Sequence, residues 1–132
     1  MTAVLDAWAV VAVLKEEPAG PRVEREIESG QAIVSSINLG EAYYSLAGDL
    51  PVSHEGRIRG AISALRDRVT LDEPDWPLVI SAAHLKARNA ISYANSFCIA
   101  TALRHHVPLW TGDPEIIALA EVVEVVDLRA KP

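Results

Sequence analysis

The stretch Thr2-Ala3-Val4-Leu5-Asp6 decides the fold of this sequence, together with the apolar, alanine-rich residues 7–14 that follow it at once. A short, continuous apolar run of this kind is typical of a strand that is buried on both faces. The carboxylate that ends the run then lies at the edge of the sheet where open α/β sheets bind ligands. Asp6 is therefore either the N-cap of a helix over residues 7–14 or part of a functional site.

Predicted strands and helices alternate along the rest of the chain. We predict further helices over residues 22–29, 39–47, 54–66, 75–90 and 96–106, with a short one after Asp113. We predict further strands over residues 32–35, 69–71 (an edge strand), 107–111 and 122–126, followed by a tail over 127–132. Ser36 or Asn38 would cap the helix over 39–47, and Ser53 the helix over 54–66. The alternation predicts an α/β fold, a three-layer α/β/α sandwich with a central, mostly parallel sheet.

Length and composition narrow the class of protein. The chain has 132 residues, 50% of them hydrophobic, which suits a single domain over residues 1–132. The net charge of −6 argues against nucleic-acid binding unless a metal or a basic partner supplies positive charge. Cys98, the only cysteine, lies in an apolar helical run and is expected in the core. We find neither a signal peptide nor a membrane span in the pattern, and expect a soluble, cytoplasmic protein.

Three acids are predicted at one edge of the sheet. Asp6 ends the first strand, Asp113 follows the strand that ends in Leu109-Trp110-Thr111, and Glu41 lies in the first turns of a helix that follows the second strand. If the strands of Asp6 and Asp113 are neighbours, the carboxylates converge and repel one another unless a cation binds. Oxygen ligands of this type suit Mg²⁺ or Mn²⁺.

Each acid also has an ordinary structural explanation. Asp6 and Asp113 each precede a predicted helix and are plausible N-caps, the second with proline at the first helical position. Glu41 in a first turn would be stabilised by the helix dipole alone. Their joint placement makes a cap and a site about equally favoured.

Four motifs, in order along nearly the whole chain, resemble those of PIN-domain proteins, and most of all VapC-type toxins of bacterial type II toxin–antitoxin pairs. The motifs are Val4-Leu5-Asp6, Asn38-Leu39-Gly40-Glu41, residues 91–97 and residues 109–114. The resemblance implies a PIN-like α/β/α sandwich and a ribonuclease whose acids bind Mg²⁺ or Mn²⁺. It places Asp6, Glu41 and Asp113 on family acids, Thr111 on a polar position beside the last acid, and Glu115 on a possible further acid.

Asn95 departs from the family pattern. The resemblance predicts an aspartate at this position, and asparagine offers a metal only one carbonyl oxygen and cannot accept a proton from water. Metal affinity and activity should therefore fall, whether the substitution is natural or was introduced to silence a toxic nuclease. Trp8 is a milder departure, because small hydroxylic residues usually follow the first acid in this family.

The leading hypothesis is an Mg²⁺- or Mn²⁺-dependent endoribonuclease toxin with Asp6, Glu41, Asn95 and Asp113 at its site. The resemblance also implies a VapB-like cognate antitoxin and a homodimer. An alternative is a catalytically impaired module that mainly binds its antitoxin or RNA, and a weaker one is a small Mg²⁺-dependent phosphohydrolase. Candidate RNA contacts are basic residues on three predicted helices: Arg57, Arg59, Lys86, Arg88, Arg104 and His105. A solvated helix face is the more common explanation of such a basic patch, and charge that complements a helix C-terminus explains His105.

Overall fold

The elements of the fold alternate as predicted. A computed structural model describes residues 2–130 of the chain. The strands are β1 (Ala3–Leu5), β2 (Ala32–Ser35), β3 (Thr70–Asp72), β4 (Leu109–Thr111) and β5 (Val125–Asp127). The helices are α1 (Ala7–Leu14), α2 (Gly20–Glu28), α3 (Ser36–Gly48), α4 (Glu55–Arg66), α5 (Trp76–Arg88), α6 (Tyr93–His105) and α7 (Pro114–Ile117). A 3₁₀ turn, Val52–His54, precedes α4.

The strands form one sheet in the order β3-β2-β1-β4-β5, and every neighbouring pair is parallel. The chain builds the sheet outward from β1 in one direction, then returns to add β4 on the other side of β1. This reversal between β1 and β4 is the topological switch point, where the crevice of an open α/β sheet opens. The predicted three-layer α/β/α architecture is therefore confirmed, and the described sheet is parallel throughout.

The first strand is buried on both faces, as its sequence predicts. Ala3 and Leu5 pack into the core with α1, α2 and α3, whereas Val4 packs on the opposite face with Cys98 and Ile99 of α6. The three residues of β1 are completely inaccessible to solvent. Alternate residues of a strand point to opposite faces, so a run without polar residues indicates a strand between two helical layers.

The N-caps of two helices, α3 and α4, differ from the prediction. Helix α3 begins at Ser36, three residues earlier than expected, because the Ser35 hydroxyl accepts a hydrogen bond from the Ile37 amide at 3.3 Å. Ser36 and Asn38 therefore both lie inside the helix, and neither of the two predicted residues caps it. Helix α4 begins at Glu55 without a side-chain cap, so the predicted cap at Ser53 is wrong.

Other boundaries shift by one turn or less. Helix α6 begins at Tyr93 and not at residue 96, because the Ser92 hydroxyl accepts a hydrogen bond from the Asn95 amide at 3.1 Å. The last strand spans Val125–Asp127 and not residues 122–126. The predicted tail is described only to residue 130, and residues 131–132 lie outside the described part. Among residues 2–130, no helix combines the length and the apolar character that crossing a membrane requires.

Candidate active site

Asp6 stands at the carboxyl end of the central strand β1 and is almost fully buried, with 2% of its surface exposed. Its Oδ1 accepts a hydrogen bond from the Ala9 amide at 2.9 Å, which makes Asp6 the N-cap of α1. Its Oδ2 accepts a hydrogen bond from the Thr111 hydroxyl at the end of the neighbouring strand β4. The cap fixes the direction of the carboxylate, and Thr111 links it to the second acid-bearing strand.

Asp113 lies just beyond β4 and is held by the same threonine. The Asp113 amide donates to the Thr111 hydroxyl oxygen at 2.9 Å, and Asp113 Oδ1 accepts from the Glu115 amide at 2.9 Å as the N-cap of α7. Because β1 and β4 pair side by side, Asp6 and Asp113 leave the sheet at the same edge. The condition set for a shared site, that their strands are neighbours, is therefore met.

The Asn95 side chain stands between two acids. Its Nδ2 donates to Asp113 Oδ2 at 3.0 Å and also to Glu115 Oε2. Glu115 Oε2 accepts a further hydrogen bond from the Ser92 amide at 3.1 Å. With 4% of its surface exposed, Asn95 supplies hydrogen atoms where an aspartate would add a third negative charge.

Glu41 approaches the same region from α3. Since α3 begins at Ser36, Glu41 lies in the second turn, where the helix dipole gives little stabilisation. Its Oε1 accepts a hydrogen bond from Asn38 Nδ2 at 3.1 Å. Asn38 was one of two predicted caps of this helix, so its contact with Glu41 was not expected, although the i, i+3 spacing of the two residues could have indicated it.

The electrostatics show that the acids share one region. Burial raises the pKa of Asp6 from its ordinary value of 3.8 to about 7, although the hydrogen bonds from Thr111 and Ala9 lower it. The charges of Asp113 and Glu41 raise the Asp6 pKa further. Asp6 is thus within electrostatic range of two acids that are distant in sequence, Asp113 and Glu41.

The pKa of Glu41 is raised as well. The main cause is burial, opposed by the hydrogen bond from Asn38, and the charges of Asp113 and Glu115 add to the rise. None of the ion pairs found among residues 2–130 includes a carboxylate of this cluster. The described residues therefore leave the negative charge of the cluster without a neutralising cation.

A cleft of about 240 Å³ opens beside the acids. Glu41 and Asp113 line it together with the aromatic side chains of Trp8 and Tyr44. The Trp8 ring packs directly on Gly112, where an added Cβ would overlap the ring. Trp8 therefore packs against the loop that carries Asp113. The absence of the family's small hydroxylic residue at position 8 did not predict this structural role.

The sequence of the chain also matches a known family. The model of the PIN domain matches residues 3–122. The chain belongs to the PIN domain family. A search of curated protein sequences finds no significant relative.

Solved structures share this PIN fold at low sequence identity. DNA-bound VapBC from Salmonella typhimurium matches with a TM-score of 0.78 and 15% identity, over 97% of this chain and 98% of that one. VapBC2 from Rickettsia felis, bound to a promoter DNA fragment, gives 0.75 and 13%, over 96% and 98%. Mycobacterium tuberculosis VapC20, described as a toxin that cleaves the sarcin-ricin loop, gives 0.73 and 16%, over 89% and 95%.

PIN domains are nucleases and generally use divalent metal ions, so the fit of this cluster to a metal matters. All its candidate ligands are carboxylate or amide oxygens, the donors that Mg²⁺ and Mn²⁺ prefer. As placed, no three Asp, Glu, His or Cys side chains among residues 2–130 stand close enough together to hold an ion. The oxygen donors of this PIN domain therefore fit a hard divalent ion. As placed, however, some of these carboxylate oxygens already accept hydrogen bonds from Asn95 and Thr111.

The predicted RNA contacts of the PIN domain fall in different surroundings. Arg57 and Arg59 are exposed on α4. Arg104 lies nine residues beyond Asn95 in α6, about 13 Å along the helix axis. Its guanidinium donates to Asp72 at 2.8 Å and to Asp75 at 2.9 Å, which gives it a structural role between α6, β3 and α5.

Proposed function

We propose that this PIN domain is a divalent-metal-dependent endoribonuclease toxin of the VapC type, restrained by a cognate antitoxin. The likeness to VapC and VapBC structures supports the fold, and the RNA-cleaving toxin and the toxin–antitoxin complexes among them suggest the kind of activity and partner. The observation that carries the proposal lies in this chain. Asp6 is a buried carboxylate that Thr111 links to the loop of Asp113, and its pKa is raised chiefly by burial and further by the charges of Asp113 and Glu41.

Asp6, Glu41 and Asp113 would hold Mg²⁺ or Mn²⁺, with one carbonyl oxygen from Asn95. Such an ion supplies positive charge opposite the scissile phosphate and lowers the pKa of an attacking water. The Thr111 hydroxyl donates to Asp6 and favours its ionised form, the form that a metal requires. Ser92 and Asn95 donate to Glu115, which holds this further acid beside Asp113.

The partners follow from the charge of the domain. RNA would approach an acidic edge of the sheet, which repels its phosphates. Exposed basic residues such as Arg57 and Arg59 would therefore assist RNA binding only once a cation reverses the local potential. Arg104 would contribute less than these, because its guanidinium is already paired. A basic segment of a VapB-like antitoxin suits the acidic cleft, and we propose a homodimer in the cytoplasm as the working form.

The test is whether the purified, antitoxin-free protein cleaves single-stranded RNA in the presence of Mg²⁺ or Mn²⁺. Addition of EDTA should stop the cleavage. We expect Asp6→Ala to lower the rate about 100-fold or more, since it removes a ligand worth several kcal/mol. Asp75→Ala is the matched control, because Asp75 caps α5 through the Leu78 amide at 3.0 Å just as Asp6 caps α1. Equal losses in both variants would show that Asp6 acts only as a cap.

Asn95 favours a second candidate, a catalytically silent module that binds its antitoxin without turnover. Its amide bonds two acids of the cluster and reduces the need for a cation. This candidate predicts antitoxin binding that is indifferent to EDTA and no metal-dependent cleavage at any Mn²⁺ concentration. Cleavage that EDTA stops and Asp6→Ala abolishes would exclude it.

A further inference from the structure

Asn38 is a completely buried polar side chain in the first turn of α3. Its Nδ2 donates to Glu41 Oε1 at 3.1 Å and to the Ala94 carbonyl oxygen at 3.0 Å. Its Oδ1 is buried and has no hydrogen-bond partner among the described residues. Buried polar atoms are nearly always hydrogen-bonded, so this exception needs an explanation.

The orientation of the amide is fixed by its surroundings. The carboxylate of Glu41 and the carbonyl of Ala94 can only accept, so Nδ2 must face both of them. Turning the amide over would bring Oδ1 against two acceptors. The unpaired oxygen is thus the consequence of placing both N–H groups where they are, and a leucine of similar shape would avoid it. The two hydrogen bonds of Nδ2 therefore have to compensate for the free-energy cost of the unpaired Oδ1.

Those contacts join two parts of the site. Glu41 belongs to α3, and Ala94 directly precedes Asn95 in α6. Asp6 and Asp113 are each fixed as helix caps, but Glu41 caps no helix, and Asn38 is its only side-chain hydrogen-bond partner among the described residues. A glutamate without such a contact has several rotamers available, most of them directed to solvent.

We propose that Asn38 is a positioning residue, which directs the Glu41 carboxylate toward the cleft and fixes its distance from the start of α6. The meaning of this role for catalysis rests on the proposed function, but the contact can be tested without it. A residue that acts in this way should matter only while Glu41 is present. That condition separates it from a residue that merely supports the fold.

The first experiment is a double-mutant cycle on Mn²⁺ affinity, measured by calorimetry with Asn38→Leu, Glu41→Ala and the double variant. We expect Asn38→Leu to weaken Mn²⁺ binding about tenfold, and to have no further effect once Glu41 is alanine. Thr101→Val is the matched control, because Thr101 is fully buried in α6 and its hydroxyl bonds only the Phe97 carbonyl of the same helix. An equal loss from Asn38→Leu in both backgrounds would overturn the proposal.

The second experiment needs neither metal nor activity and covers the case in which Asn38→Leu fails to fold. In ¹⁵N-resolved NMR spectra of the protein in EDTA, both side-chain N–H signals of Asn38 should exchange slowly with solvent. Glu41→Ala should shift one of the two signals and leave the other, bonded to Ala94, protected. Two unchanged signals would refute the positioning role. Failure of the wild-type protein to bind Mn²⁺ would instead refute the proposed function, and the NMR result would then decide the role of Asn38 alone.

Discussion

Replacing Asn95 with aspartate is the most informative single change, because it alters charge and hydrogen bonding while keeping the shape of the side chain. Asn95 Nδ2 donates to Asp113 Oδ2 at 3.0 Å and to Glu115 Oε2 in a site where Asn95 is 4% exposed. In Asn95→Asp both donated bonds vanish, and a third carboxylate faces the other two. A divalent ion would turn this repulsion into attraction, so the effect should reverse sign when metal is added.

The magnitude follows from the contacts. Hydrogen bonds to charged groups contribute roughly 1.5–3 kcal/mol each. Two carboxylates that stand as close as Asn95 Nδ2 and Asp113 Oδ2 do, at 3.0 Å, repel by roughly 5 kcal/mol at an effective dielectric constant of 20. Proton uptake by one member of the cluster limits the penalty, because like charges in contact raise one another's pKa. We therefore expect Asn95→Asp to destabilise the protein in EDTA by about 3 kcal/mol near neutral pH, which lowers Tm by roughly 10 °C.

Scanning calorimetry in EDTA and in millimolar Mn²⁺ measures both halves of the prediction. Mn²⁺ should raise the Tm of Asn95→Asp well beyond its effect on the wild-type protein, and RNA cleavage should rise about tenfold or more. Asn89→Asp is the control, since it makes the same change in net charge at a side chain whose amide bonds only the Leu85 carbonyl, at 2.9 Å. If the two variants lose equal stability in EDTA, or gain equally from Mn²⁺, then Asn95 does not act by neutralising Asp113 and Glu115.

Two further predictions concern the stability of the site. Burial raises the Asp6 pKa from 3.8 to about 7, so between these pH values the folded protein holds a proton that the unfolded chain has lost. The free energy of unfolding should therefore fall by up to about 4 kcal/mol as the pH rises from about 4 to 7. Asp6→Asn should remove most of this loss in urea unfolding at a series of pH values in EDTA, and an unchanged pH profile would contradict it. Gly112→Ala should destabilise the protein by about 1–3 kcal/mol and lower cleavage, because the new Cβ meets the Trp8 ring. Gly60→Ala in the open face of α4 should instead stabilise by about 0.5–1 kcal/mol, and thermal unfolding of both variants checks the contrast.

The sequence predicted the sheet well because its strands carry their own signal. The run from Ala3 to Leu5 has no polar residue, and the structure buries it between two helical layers. A chain of alternating strands and helices has few ways to form a parallel sheet, so this class of sheet could be predicted. The pairing of β1 with β4 was only a condition of the predicted site, and the structure meets it. The short helix starts were harder. Ser35 and Ser92 cap α3 and α6 from positions that periodicity alone reads as strand or loop.

The hydrogen bonds of Asn95 lay beyond prediction for a different reason. The resemblance identified Asn95 as a departure from the family pattern but could not show which atoms its amide would meet. Only the packing of α6 against the loop after β4 brings its Nδ2 to Asp113 and Glu115. Asn38 was one of two predicted caps because the helix was expected to begin at residue 39, whereas α3 begins three residues earlier, at Ser36.

The sequence left open whether these acids are helix caps or site residues, but the two roles do not exclude each other. Asp6 and Asp113 are N-caps, each with one oxygen bonded to a helix amide, and the same bonds hold their remaining oxygens at the edge of the sheet. A helix N-terminus favours a negative charge, so capping lowers the free energy of a carboxylate that its acidic neighbours raise. Glu41 lacks this support and depends on Asn38. Capping is therefore the means by which this fold gathers like charges at one edge, and an acid that ends a strand before a helix can serve both purposes with the same atoms.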